Sequence, residues 1–416
     1  MRFVHMADIH LDSPFRVLAL EKDLADKRRL QQREAFRRGI EYVKRENIPF
    51  LFISGDLYEQ EYIRESTIEF VNNLFKEIPN TKIFISPGNH DPYLANSFYN
   101  TFNWNENVTI FNDEIKRIEL DEADIYGYGF SDFYCTNSGC DEIEIKNKEK
   151  INILIVHGSL DASKTQDLQY NPINSAKLKK IGFDYVALGH IHKSNFNNNE
   201  NNFIYPGSLI SFGFDELGEH GILDVKINKN NLIKNNENNF KLNNNLELKN
   251  KLEKNKINNL ENKNINFENN LNNLEIKNNY EKNNLNNKKI VGKYFVKIEN
   301  SIFEEKNIDI NDINSEEEII EKLNKEEYEN DKFYKIILKG TKNLELNPKR
   351  ICKLVNAKNI LKVKDETEIN YEIDRLIEQK NLKGMFVKNI LKQMEENPNQ
   401  KSKIEEALKI GLKMFE

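Results

Sequence analysis

Five short apolar runs that each stop on Asp, Asn or His constrain this chain more than any other feature. Phe3–Met6, Pro49–Ile53, Ile83–Ile85, Ile151–Val156 and Tyr185–Leu188 have the length and composition of buried strands. They run into Asp8-Ile9-His10, Gly55-Asp56, Gly88-Asn89-His90-Asp91, His157-Gly158 and Gly189-His190-Ile191-His192. Strands of an α/β sheet deliver the residues at their ends to one carboxyl edge, where ligands bind. Five such ends therefore predict a cluster of imidazole, carboxylate and amide donors. The chain has seven histidines, and five of them lie in these motifs.

Asp8, His10, Asp56, Asn89, His157, His190 and His192 offer seven ligating side chains, enough for two divalent metals if one carboxylate bridges. Mixed nitrogen and oxygen donors suit Mn or Fe, with Zn also compatible. Two metals about 3.5–4 Å apart activate water and stabilise both the attacking and the leaving oxygen of a phosphoryl displacement.

The 416 residues predict two or three domains. Residues 1–227 alternate strand and helix patterns, with helices over Lys22–Arg45 and Ile63–Ile78 and a second sheet after Trp104. Residues 228–290 shift abruptly: 27 of these 63 are Asn, a poor helix former, so a low-complexity insert is expected. Residues 291–365 read as a small α+β domain, with a Ser315/Glu318 capping box and Pro348 opening another helix. Residues 366–416 carry two amphipathic helices divided by Pro398. One uses Phe386, Val387, Ile390, Leu391 and Met394; the other uses Ile404, Leu408, Gly411 and Phe415.

A formal net charge of −6 does not advertise a nucleic-acid binder, although carboxylates on metal are neutralised there. Local charge matters more than the total. Lys22–Arg45 carries nine Lys/Arg against four Asp/Glu, expected as the solvated face of a helix. No apolar run is long enough to span a membrane, and the chain enters a strand directly without a signal peptide. Cys135, Cys140 and Cys352 form neither a zinc pattern nor an even disulfide framework, so a cytoplasmic location is expected. His5 and His220 are expected to be strand packing and loop.

Taken in order, Asp-x-His, Gly-Asp, Gly-Asn-His-Asp, His-Gly and Gly-His-x-His resemble the calcineurin-like metallophosphoesterases over residues 1–227. Asp8-Ile9-His10-Leu11-Asp12-Ser13-Pro14-Phe15 is similar to the SbcD-like DNA-repair exonuclease branch. The resemblance implies a four-layer α/β/β/α sandwich with a small α+β capping domain and C-terminal helices. It implies one metal on Asp8, His10, Asp56 and His192, and a second on Asp56, Asn89, His157 and His190, with Asp56 bridging. His90 would act on the scissile phosphate instead of binding metal. Glu59 departs from the family, which places Asp or His there; it would orient His90 with a side chain one methylene longer.

The expected function is thus a two-metal DNA nuclease, cutting as a 3′-to-5′ exonuclease or an endonuclease. Implied partners are DNA and an SMC-like ATPase (SbcC-like or YhaN-like) docking on the tail helices, with no membrane and a possible homodimer. Rival readings are a phosphoesterase for a small nucleotide or phospholipid headgroup, and a non-catalytic scaffold for the ATPase.

Overall fold

Alternation along the strands sets two faces, and the structure uses both. The computed structural model describes residues 1–15, 22–162, 169–197, 202–229, 276–280, 289–311, 313–342, 346–369 and 373–415. Two compact units divide at Ser301/Ile302.

The first unit is built on a seven-stranded and a five-stranded sheet. In the larger sheet Arg2–Met6, Phe50–Ile53, Lys82–Ile85 and Val108–Ile110 are parallel neighbours. Glu219–Lys229 pairs antiparallel with the first strand and with Lys289–Asn300. In the smaller sheet Ala123–Tyr128, Ile151–His157 and Tyr185–Gly189 run parallel. Phe3, Phe52 and Phe84 from the larger sheet share one buried core with Ile125, Ile153, Ile155 and Tyr185 from the smaller. The alternate residues Leu154 and Val156 join a second core with Leu178 of the helix Ser175–Ile181. This period-2 division is what a sheet covered on both faces requires.

Helix Lys22–Arg45 lies over the larger sheet, where Gly39 sits against Met6 so closely that a Cβ would meet its side chain. Phe36 meets Phe75 of the helix Glu65–Lys76 edge-on at 6.2 Å. The basic run is not simply a solvated face. Arg28 is 1% exposed and pairs with Glu299, and Arg33 binds Asp12, because the apolar stripe of a long helix draws neighbouring stems inward.

The Asn-rich stretch also departs from expectation at its ends. Lys229 and Lys289 still belong to paired strands, and Ile276–Tyr280 pairs antiparallel with residues 292–296. The rest of the insert lies outside the described residues. Because Lys289–Asn300 completes the first unit's sheet, the α+β part begins at Ile302 and not at 291.

In the second unit Phe303–Asp309, Phe333–Lys339 and Ile360–Asp365 form a parallel sheet. Ser315 caps the helix Glu316–Lys325 by accepting from Glu318 N, and Pro348 opens Pro348–Leu354. Helices Leu382–Glu396 and Lys401–Lys413 are present as expected, joined by Ile373–Glu378, which periodicity did not reveal. They are not left unpartnered. Leu376, Val387, Leu408 and Leu412 form a core of their own, with Phe386 packed against Gly411. No helix among the described residues is long and apolar enough to cross a membrane.

Candidate metal centre

The five strand ends meet as the sequence predicts, and they do so on strained backbone. Asp8, His10, Asp56 and His190 have φ of 51°, 50°, 54° and 106°, values that non-glycine residues hold only where the surroundings impose them. Asp8 N donates to Gly55 O, while Ile9 N and His10 N both donate to Asp56 O, tying the first loop to the second. Gly88 and Gly189 are required for close approach: a Cβ would strike Asp56 Oδ1 at the first and Ser54 O at the second.

Three groups of donors lie close enough to hold an ion: Asp8 with His10 and His192, His10 with Asp56 and His90, and Asp8 with Asp56 and His157. His190 belongs to none of these groups. Its ring stands 5.3 Å from that of His157, and its backbone N donates to Asp8 Oδ1 at 2.9 Å. Asn89 Oδ1 is 3.0 Å from His157 Nε2.

The hydrogen-bond roles test whether this cluster suits a cation. Carboxylates and carbonyls only accept, so His10 Nδ1 donates to Glu59, His192 Nδ1 to Glu216, and His157 Nδ1 to Ser54 O. Each neutral ring then carries a lone pair on Nε2. Yet His10 Nε2 faces His192 Nε2 at 3.1 Å, and His157 Nε2 faces Asn89 Oδ1 at 3.0 Å and Asp56 Oδ2 at 3.3 Å. Asp8 is fully buried and its Oδ2 has no hydrogen-bond partner. Acceptors converging on acceptors, with an orphaned buried carboxylate oxygen, fit bound divalent cations.

The local potential agrees. Burial would lower the His157 and His192 pKa values, but Asp56 acting on the first, and Glu216 with Asp8 on the second, raise both to about 9. The site favours positive charge.

His90 stands at the rim, its side chain 45% exposed, with its backbone N donating to Asp56 Oδ1. Glu59 lies between His90 and His10 and binds the Nδ1 of each at 2.9 Å.

Three residues that sequence reasoning gave no role organise the centre. Asp91 accepts from Asp56 N, Leu57 N, Gly88 N and the Tyr99 hydroxyl, fixing both loops. Its place in Gly-Asn-His-Asp was the available signal. Glu216 holds His192, and no spacing marked it. His220 is not a loop residue: it begins the strand Glu219–Lys229 and contacts Ser208 O and Glu216 O, steadying the turn that carries Glu216.

Residues 1–194 match the calcineurin-like phosphoesterase family. This part of the chain is a calcineurin-like phosphoesterase domain. Its class uses divalent metals and hydrolyses phosphate esters, in keeping with the donor set above. The chain is 28% identical over 241 residues to the uncharacterized metallophosphoesterase YhaO of Bacillus subtilis (strain 168), covering 55% of this chain and 57% of that protein. It is 26% identical over 270 residues to the D subunit of the nuclease SbcCD of Staphylococcus epidermidis, covering 55% of this chain and 67% of that one. The chain thus spans little more than half the length of the Bacillus relative. The crystal structure of TT1561 of Thermus thermophilus superposes on 54% of this chain and 93% of its own at 12% identity, with a TM-score of 0.30, too low to argue from.

Proposed function

We propose that the phosphoesterase domain is a two-metal phosphodiesterase acting on DNA, as an exonuclease or endonuclease, in partnership with an SMC-like ATPase. The observation that carries this reading is the convergence of acceptor-only faces from five strand ends beside an exposed imidazole backed by a carboxylate. Similarity to a nuclease subunit supports DNA as substrate.

In this reading Asp8, His10, Asp56 and His192 hold one metal, and Asp56, Asn89, His157 and His190 the other. A pair of divalent cations, Mn or Fe by donor type, supplies Lewis acidity for the phosphate and a nucleophile from water. The protein's own contribution is orientation and proton transfer. Glu59 and Glu216 fix the tautomers of His10 and His192, and Ser54 O fixes that of His157. His90 Nδ1–H is held by Glu59, which directs Nε2 outward to stabilise charge on the phosphate and protonate the leaving oxygen. The α+β part after Ser301 is assigned to shaping DNA entry and the tail helices to the ATPase.

Full-length protein loaded with Mn(II) is expected to shorten a labelled DNA strand, with activity lost on chelation and regained on metal return. Binding of two metals without cleavage of any DNA substrate overturns the nuclease assignment.

A further inference from the structure

A cavity of about 490 Å³ opens beside His90 and Asn89, within the ~300–1,000 Å³ of small-ligand sites. Its wall is aromatic: Phe15, Tyr62, Phe133, Tyr134, Tyr170 and Phe212 line it. Two of these rings flank the proposed ligands directly. Phe212 lies 5.3 Å from the ring of His10 and 5.4 Å from that of His192, and Tyr170 lies 5.1 Å from that of His190. Tyr134 continues the wall outward from Tyr170, their centroids 6.1 Å apart at 30°. Tyr134 is 58% exposed and Tyr62 44% exposed, so open ring faces remain at the mouth.

The wall is preorganised. Cys135 bridges to Tyr170 in parallel register, donating to Gln169 O at 2.9 Å and accepting from Asn171 N at 2.6 Å. The Asn171 amide in turn donates to His157 O. The rings are therefore fastened to the backbone that presents the metal donors.

The charge of the lining is as informative as its rings. Glu59, Glu61, Asp215 and Glu216 line the cavity, and no lysine or arginine does among the described residues. Glu59 and Glu216 are engaged by histidines, whereas Glu61 and Asp215 stand exposed. Duplex DNA carries one negative charge per roughly 1.7 Å of axis, and its base faces already cover one another. An acidic aromatic wall repels the first and gains nothing from the second. A lone base offers an uncharged π-face and brings one phosphodiester to the metal donors.

We propose that this cavity stacks the base of one unpaired nucleotide against Tyr134 and Tyr170 while its phosphodiester lies at the Asp/His cluster. The substrate is then a single-stranded end and not an intact duplex. The inference rests on the phosphodiesterase reading above and deepens it.

The test uses Mn(II)-loaded full-length protein and calorimetry with deoxyadenosine 5′-monophosphate against 2-deoxyribose 5-phosphate. Stacking predicts that the base tightens binding about 5- to 100-fold. Tyr134→Ala and Tyr170→Ala should each shrink that ratio towards one, and Tyr134→Trp should keep it. An equal affinity for both ligands, or a ratio that survives both alanine variants, overturns the proposal. Displacement of the nucleotide by phosphocholine with the same tyrosine dependence also overturns it, because the wall is then a cage for an organic cation. Cleavage of oligonucleotides with normal or abasic 3′ termini separates the two readings. Equal cutting of both leaves the nuclease standing and removes the base subsite. A tyrosine-dependent base preference without cutting keeps the subsite and removes the nuclease.

Discussion

Glu59 and His90 are joined by a 2.9 Å contact from Oε2 to Nδ1, and the other oxygen of the same carboxylate takes His10 Nδ1 at the same distance. One side chain thus orients both a proposed ligand and the proposed catalytic histidine. Burial works against the Glu59 charge, but its bonds to His10 and His90 prevail and hold its pKa down to about 2. Burial also works against a charged His90, and Glu59 and Asp56 outweigh it, raising the imidazole to about 9.

Glu59→Gln removes the charge and leaves one acceptor oxygen for two Nδ1–H donors. The amide NH2 must then face one imidazole as a donor against a donor. Activity on a chromogenic phosphodiester should fall roughly 10- to 100-fold, with the thermal unfolding temperature nearly unchanged. Wild-type activity in Glu59→Gln refutes the shared-carboxylate role.

His90→Asn separates binding from chemistry. The variant should keep its metals, because the strand ends supply seven other donors, and lose cleavage by at least ~10²-fold. Metal loss parallel to the activity loss would make His90 a ligand, as its grouping with His10 and Asp56 allows.

Asp56 and His192 make unequal demands on the centre. Asp56 Oδ2 faces both His10 and His157, at 3.6 and 3.3 Å, whereas His192 faces only the His10 side among the imidazoles it contacts here. Asp56→Ala should therefore abolish binding of both metals, and His192→Ala should mainly weaken one. Elemental analysis after gel filtration checks this, and two metals retained by Asp56→Ala would remove Asp56 as the bridge.

The strand ends were legible because chemistry and periodicity coincide there: an apolar run followed by Asp, Asn or His has one economical reading. The supports beneath them were not legible. Glu216 reaches His192 from a turn 24 residues on, and nothing local marks that closure. The positive φ of Asp8, His10 and Asp56 comes from loops pinned to one another, as with Asp91 beneath Asp56 and Leu57, and not from local propensity. The first unit's boundary was missed for a similar reason: Lys289–Asn300 finds its partner, Glu219–Lys229, across the whole Asn-rich stretch.

His5 predicts a pH-dependent stability. It is fully buried between the Tyr185 and Ser54 hydroxyls, 3.0 Å from each, and burial pushes its pKa down to about 3 against the opposing Leu188 backbone bond. The folded state keeps it neutral while the unfolded chain protonates it near pH 6.5. Its stabilising contribution is therefore present above pH 6.5 and is lost as pH falls towards 3. His5→Gln costs stability at pH 7 through lost hydrogen bonds, but that cost should shrink on acidification by up to about 1.4 kcal/mol per pH unit. Urea unfolding at several pH values between 7 and 4 measures it. A pH-independent difference would show that His5 does not titrate in the unfolding reaction.

The tail offers a way to tell packing from docking. Val387, Leu408 and Leu412 are buried within the helical cluster, whereas Leu382, Met385, Ile410 and Met414 are 72%, 67%, 58% and 83% exposed. Leu382 and Met385 share one helix face by their spacing, and Ile410 and Met414 share another. Exposed apolar faces of this kind mark partner sites, and helices engage grooves through such spacing. Under the proposed partnership, Met385→Glu with Met414→Glu should abolish co-purification with an SMC-like ATPase. Metal content, unfolding temperature and hydrolysis of a small phosphodiester should not change. Leu408→Ala acts differently: it should destabilise the cluster by about 2–5 kcal/mol if the cavity stays open. It should weaken the partnership only as far as the helices unfold. Full association of the double glutamate variant would move the docking site off these faces, and loss of solubility in that variant would show that the two methionines pack inside the protein instead.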